Sequence, residues 1–161
     1  MPNRGQEFHS AHPKGTKYFE GTLQLRNPSQ EVVDFVWAEV DKNVGKHVYI
    51  QKSVASKNGL DYYLTSNRFL RSLGNDLQNK FGGELKLSAK LFSVDKQSSK
   101  ELHRLTVLFR LPDFCVGQNV EYKGEQYRVF RMNKKVFLKN DKSGKKVLVS
   151  QREMGSIRKC E

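Results

Sequence analysis

The chain has 161 residues, 37% of them hydrophobic, enough for one domain or two small ones. Its 29 Lys and Arg against 17 Asp and Glu give a net charge of +12, which makes a polyanion such as nucleic acid the leading expected partner. No apolar run is long enough to span a bilayer and no secretory signal opens the chain, so the expectation is a cytoplasmic protein without a membrane partner.

Residues 1–16 mix Gly, Pro, Ser and charge with little to bury and are expected to form a flexible basic head. From Tyr18 the pattern is that of a strand, with Phe19, Gly21, Leu23 and Leu25 facing a core and Glu20, Thr22, Gln24 and Arg26 alternating outward. Asn27 is placed to cap a helix, with Pro28 at its first position and Gln30 as capping-box partner. Val33, Val36, Trp37 and Val40 then recur at helical spacing to about Lys42. Two alternating stretches flank Lys57-Asn58-Gly59, a hairpin signal. Ser66 is the N-cap of a second helix over 67–81, whose stripe is Phe69, Leu70, Leu73, Leu77 and Phe81 and whose stop is Gly82-Gly83. Two strands follow, joined by the polar turn from Asp95 to Lys100, with Leu85, Leu87, Ala89 and Leu91 opposite to Lys86, Ser88 and Lys90. The order strand, helix, two strands, helix, two strands predicts an α+β sandwich over 17–111, with both helices on one sheet face.

Pro112-Asp113 ends that pattern. Residues 112–155 hold four short strands with turns at Lys123-Gly124, Asn133-Lys134 and Asp141 to Gly144, which predicts a small all-β barrel of the SH3-like kind, followed by a tail over 156–161. Charge is uneven: +2 for residues 1–17, +4 for 18–111 and +6 for 112–161.

Catalytic patterns are missing. No Gly-rich loop precedes a helix, and Cys115 with His103 forms a nucleophile and base pair without motif context, so no enzyme is expected. Cys115 and Cys160 make no Cys-x-x-Cys pair and His9, His12, His47 and His103 have no ligand spacing, so neither metal nor cofactor is expected. What remains is positive charge on exposed strands and turns. Arg26, Lys86, Lys90, Arg104 and Arg110 share the outward parity, and Tyr18 shares it with Arg26; on neighbouring strands they would form a basic face. Lys134, Lys135, Lys142, Lys145 and Lys146 lie at turns, where a phosphate backbone can be reached without disturbing a core. Tyr122 and Tyr127 are open to two readings, base stacking or core lids.

The segments "LQLR" at 23–26, "YYLTSN" at 62–67, "KFGGELKLSAKL" at 80–91 and "LTVLFRLP" at 105–112 resemble the Nmd-three family, over residues 18 to about 150. Its eukaryotic members are the export adaptor of the large ribosomal subunit, and it has archaeal members. The resemblance implies a factor that binds rRNA at the joining face of the large subunit, near the transfer-RNA exit region, in late biogenesis. It also implies an α+β part similar to a large-subunit ribosomal protein and a barrel similar to the SH3-like half of the hypusine-bearing translation factor. Other biogenesis factors are possible partners, and a monomer is expected. The family's Cys-x-x-Cys zinc module has no counterpart here, which fits an archaeal-type member lacking it, either a truncated chain or a naturally short form. "SQREMGSIRKCE" matches no leucine-rich export signal, and Lys134-Lys135 is unlike a hypusine loop. A general RNA-binding module and a protein-interaction module built on the barrel are the alternatives.

Overall fold

The computed structural model describes residues 19–160; the expected head and Tyr18 lie outside them. The chain runs β1 (Gly21–Arg26), α1 (Gln30–Lys42), β2 (Ile50–Ser56), β3 (Gly59–Leu64), α2 (Asn67–Phe81), β4 (Glu84–Asp95), β5 (Lys100–Arg110), β6 (Asn119–Tyr122), β7 (Glu125–Met132), β8 (Val136–Lys139), β9 (Lys146–Val149) and β10 (Arg158–Lys159). Short 3₁₀ turns occupy Val44–Lys46 and Gln151–Ser156.

The helix starts follow from local hydrogen bonding. At α1 the cap is Ser29 and not Asn27: Ser29 is extended and its Oγ accepts from the Val32 amide at 3.3 Å. Asn27 instead adopts a left-handed φ of 53° and donates its Nδ2 to the Leu111 carbonyl and the Asp113 carboxylate, both at 3.0 Å. At α2 the Ser66 Oγ accepts from Phe69 N at 3.2 Å, and the Glu20 carboxylate accepts from Asn67 N at 2.8 Å. Two of the helix's unpaired amides are thereby satisfied. The helix stops at Gly82, whose φ is 66° and whose amide donates to Gln78 O.

The first sheet has the order β2-β3-β1-β5-β4, antiparallel except for the parallel pair β1–β5. Both helices cover one face, as expected. Leu23, Leu25, Val32, Val36, Trp37, Val40, Tyr62, Leu70, Leu73, Leu77, Val107 and Phe109 form its core. Trp37 meets Tyr62 edge-on at 5.5 Å. The β4–β5 hairpin runs past the helices, so Leu87, Leu91 and Val94 are exposed rather than buried. The chain passes between β2 and β3 through Lys57-Asn58, with Asn58 at φ 65°; a Cβ at Gly59 would overlap the Leu25 carbonyl, which is why the third turn residue is glycine.

The second sheet is wholly antiparallel, β10-β6-β7-β8-β9, and of SH3-like size; β10 and β9 are its two edges and do not pair. Lys123 and Gly124 both have positive φ, the requirement of a tight primed hairpin turn. Its own core joins Phe114, Val120, Tyr122, Tyr127, Val129, Met132, Val136, Leu138, Val149, Met154 and Ile157. Residues expected as a tail supply β10, whose Arg158 and Lys159 pair with Glu121 and Val120.

The two sheets meet through a polar clamp. Gln78, the buried polar residue of α2, donates to Gly83 O at 3.0 Å and to Gln151 Oε1 at 2.7 Å, while Gln151 Nε2 donates to Leu85 O at 2.7 Å. A Cβ at Gly82 would collide with the Met132 side chain, so the backbone of the helix stop sits directly on β7.

Candidate nucleic-acid interface

The strand order makes β1, β5 and β4 neighbours, so the five basic residues read from the first sheet share its helix-free face. Arg26 pairs in register with Arg110, Arg110 with Glu84, and Lys90 with Arg104. Their electrostatic duties differ. Arg26 is half-buried and held by Asp61 at 2.8 Å and Ser56 Oγ at 3.0 Å, bracing β1 to the β2–β3 hairpin. Glu84 takes both Arg110, at 3.3 Å, and Lys86, at 3.0 Å. Lys90 is exposed, and neither it nor Arg104 has a carboxylate partner among the described residues.

Arg104 sits over two rings, its guanidinium carbon 4.0 Å from the Phe19 centroid and 3.6 Å from that of Phe92. Phe19 in turn meets Tyr63 edge-on at 4.8 Å. Phe19 is therefore on the helix-free side, opposite to the expectation from alternation, because the chain bends at Glu20 before β1 begins and sends the Glu20 carboxylate to α2. Phe92 is 56% exposed. It was readable from its even-numbered parity with Lys86, Ser88 and Lys90, yet outward charge alone does not single it out.

In the second sheet the lysines split. Lys134 and Lys135 sit in the turn before β8, while Lys142, Lys145 and Lys146 lie at or beyond its other end, so one strand separates the two groups. The β8–β9 turn is organised by Asn140, whose Oδ1 accepts from Lys142 N at 2.9 Å and Ser143 N at 3.1 Å, with Gly144 at φ 73°. Lys145 is tied to Glu125 at 3.4 Å, and that carboxylate raises its pKa. Glu125 also accepts from the Tyr127 hydroxyl at 2.7 Å; this bond, helped by Lys145, holds the carboxyl below the usual range, and the same bond pushes the phenol up against the opposing pull of Lys145. Tyr122 and Tyr127 are buried, which settles them as core lids.

A cleft of about 850 Å³ lies between the sheets, lined by Glu84 and Lys86 from one side and by Arg152, Arg158 and Lys159 from the other. It extends the basic face of β4 onto the second sheet. These last three residues were not singled out in the sequence because nothing there shows that β10 folds back onto β6.

No His, Cys, Asp and Glu cluster with metal-ligand geometry occurs among the described residues, and His103 contacts Glu101 at 3.3 Å. None of their helices is long and apolar enough to cross a membrane. A family model described as NMD3, second domain, matches residues 18–111, more than half of the chain. The chain belongs to the NMD3 family. Membership associates it with ribosome biogenesis and the large ribosomal subunit, in a family of adaptors not known as enzymes. The matched NMD3 segment contains the whole first sheet, its two helices and the basic face. No curated protein matches the chain.

Proposed function

We infer that this chain is a non-enzymatic factor that binds the large ribosomal subunit through its rRNA during late biogenesis. The carrying observation is the helix-free face of the first sheet, where Lys86, Lys90, Arg104 and Arg110 converge without serving the core. Such a face suits phosphate contacts, which position a protein on RNA and make binding steeply salt-dependent. The cleft beside Lys86 and the turn lysines Lys134, Lys135, Lys142 and Lys146 extend the same chemistry to the second sheet. In this reading the protein acts as a cytoplasmic monomer at the joining face, near the transfer-RNA exit region. Its two separate hydrophobic cores are two domains that meet near Pro112. An export-adaptor role would follow from the same docking.

Co-sedimentation with purified large subunits over a range of salt tests the reading. Binding should fall steeply as salt rises, and Lys86→Ala with Lys90→Ala should weaken it and lower the salt slope by roughly one to two units. Binding that is flat in salt and indifferent to both changes would refute it. It would favour instead capture of a protein partner by the exposed Leu87, Leu91 and Val94 of the β4–β5 hairpin.

A further inference from the structure

Three features coincide at one end of the helix-free face. The first is a like-charge pair: Lys90 and Arg104 are directly opposite on β4 and β5, and neither has a carboxylate partner among the described residues. Directly opposed like charges destabilise a sheet unless an anion lies between them. The second is the Arg104 Nε, which is buried and has no hydrogen-bond partner among the described residues. The flanking rings hold the guanidinium in place by their π-faces, and no hydrogen bond engages it among the described residues. The third is Phe92, which uses one face on Arg104 and is 56% exposed.

Unsatisfied positive charge beside an open aromatic face matches the two halves of a nucleotide. A duplex offers phosphates but keeps its bases stacked inside, whereas an unpaired nucleotide offers both groups together. We propose that Phe92, Arg104 and Lys90 form a site for an unpaired RNA nucleotide, with the base stacked on the open face of Phe92 and the phosphate between Lys90 and Arg104. This rests on the rRNA-binding reading and narrows it, for this end of the sheet, to a single-stranded or bulged segment. Phe19 is the backstop that holds the Arg104 guanidinium against Phe92. An acidic protein segment would satisfy the cations but would gain little from a flat aromatic surface, and the arms of the test separate it.

The test is fluorescence anisotropy of the full chain with a labelled single-stranded adenosine decamer and with a fully paired RNA hairpin of equal phosphate number. Phe92→Leu keeps apolar bulk on the surface while removing the π-face; Phe92→Tyr restores the face. Base stacking on an aromatic side chain predicts about a tenfold loss of single-strand affinity for Phe92→Leu, with the salt slope and hairpin affinity unchanged. Phe92→Tyr should bind as the parent does. Lys90→Ala should lower the single-strand salt slope by about 0.7. Phe92→Leu binding the decamer like the parent, or losing hairpin and decamer equally, overturns the nucleotide site. So does a parent that binds large subunits but not the decamer, and in all three cases the subunit-binding reading survives. A parent that binds neither subunits nor RNA overturns both.

Discussion

Replacing Gln78 with Ala would show whether the polar clamp unites the two halves. The side chain is buried on α2 and makes two bonds, to Gly83 O at 3.0 Å and to Gln151 Oε1 at 2.7 Å. Truncation leaves the Gly83 carbonyl without that donor in a buried setting, and an orphaned buried acceptor costs about 1–3 kcal/mol. Gln151 is only half-buried, so water can replace part of what its Oε1 loses. Ala is the better helix former, which returns a few tenths of a kcal/mol. The expected destabilisation is about 2 kcal/mol. Gln151→Ala should cost less, about 1 kcal/mol, since it gives up bonds at a wetter position, including the one to Leu85 O. The two losses share the Gln78–Gln151 bond, so the double variant should fall short of their sum by about 0.5–1 kcal/mol. Urea unfolding followed by tryptophan fluorescence provides the measurement, because the single tryptophan, Trp37, is buried in the first core and reports on that half alone. A Gln78→Ala protein within about 0.5 kcal/mol of the parent, or a double variant that is strictly additive, would refute the reasoning.

Two further outcomes concern the second sheet. Lys142→Ala with Lys146→Ala should leave the melting temperature unchanged, since both side chains are exposed at turn-end positions, and should lower the salt slope of RNA binding by roughly one unit per lost phosphate contact; an unchanged slope in gradient or anisotropy assays would remove the turn from the interface. Lys145 is kept out of this pair because Glu125 already engages it. The Tyr127 phenol, raised by its bond to Glu125, should titrate above the ordinary tyrosine range, and Glu125→Gln should bring it down, as read from the Tyr127 ring carbon shift in an NMR pH series. The sign follows from linkage: a raised folded value stabilises the native state below the unfolded tyrosine pKa, and that contribution is lost as pH climbs through the folded one.

Much of the first sheet was legible because its signals are local. Ser66, Asn58-Gly59 and Gly82 specify a cap, a turn and a stop within four residues of where they act, and the alternation along 84–91 gave the face of Lys86 and Lys90. Asn27 was misread because a long-range bond to Leu111 and Asp113 outweighs its capping preference and leaves the role to Ser29. Phe19 was assigned to the wrong side because alternation holds only inside a strand, and the bend at Glu20 precedes β1. The candidate site was half visible: its charges came from parity, but the Arg104 stack needs Phe19 and Phe92 brought together from positions far apart in the chain. Arg152, Arg158 and Lys159 stayed hidden because β10 pairs with a strand some forty residues earlier, a non-local choice that no short window records.

The placement of β1 bears on how the chain assembles as it leaves the ribosome that makes it. β1 is the middle strand of its sheet, yet one neighbour, β5, matches it in parallel register from Gly21 with Leu105 onward. Each β-hairpin can close as soon as its second strand emerges, but the middle seam has to wait for a partner encoded more than eighty residues later. Until then one edge of β1 presents unpaired amides and carbonyls, and Leu23 and Leu25 lack the finished surface that later encloses them. The α+β half thus closes cooperatively and late, when nearly all of its sequence has been translated.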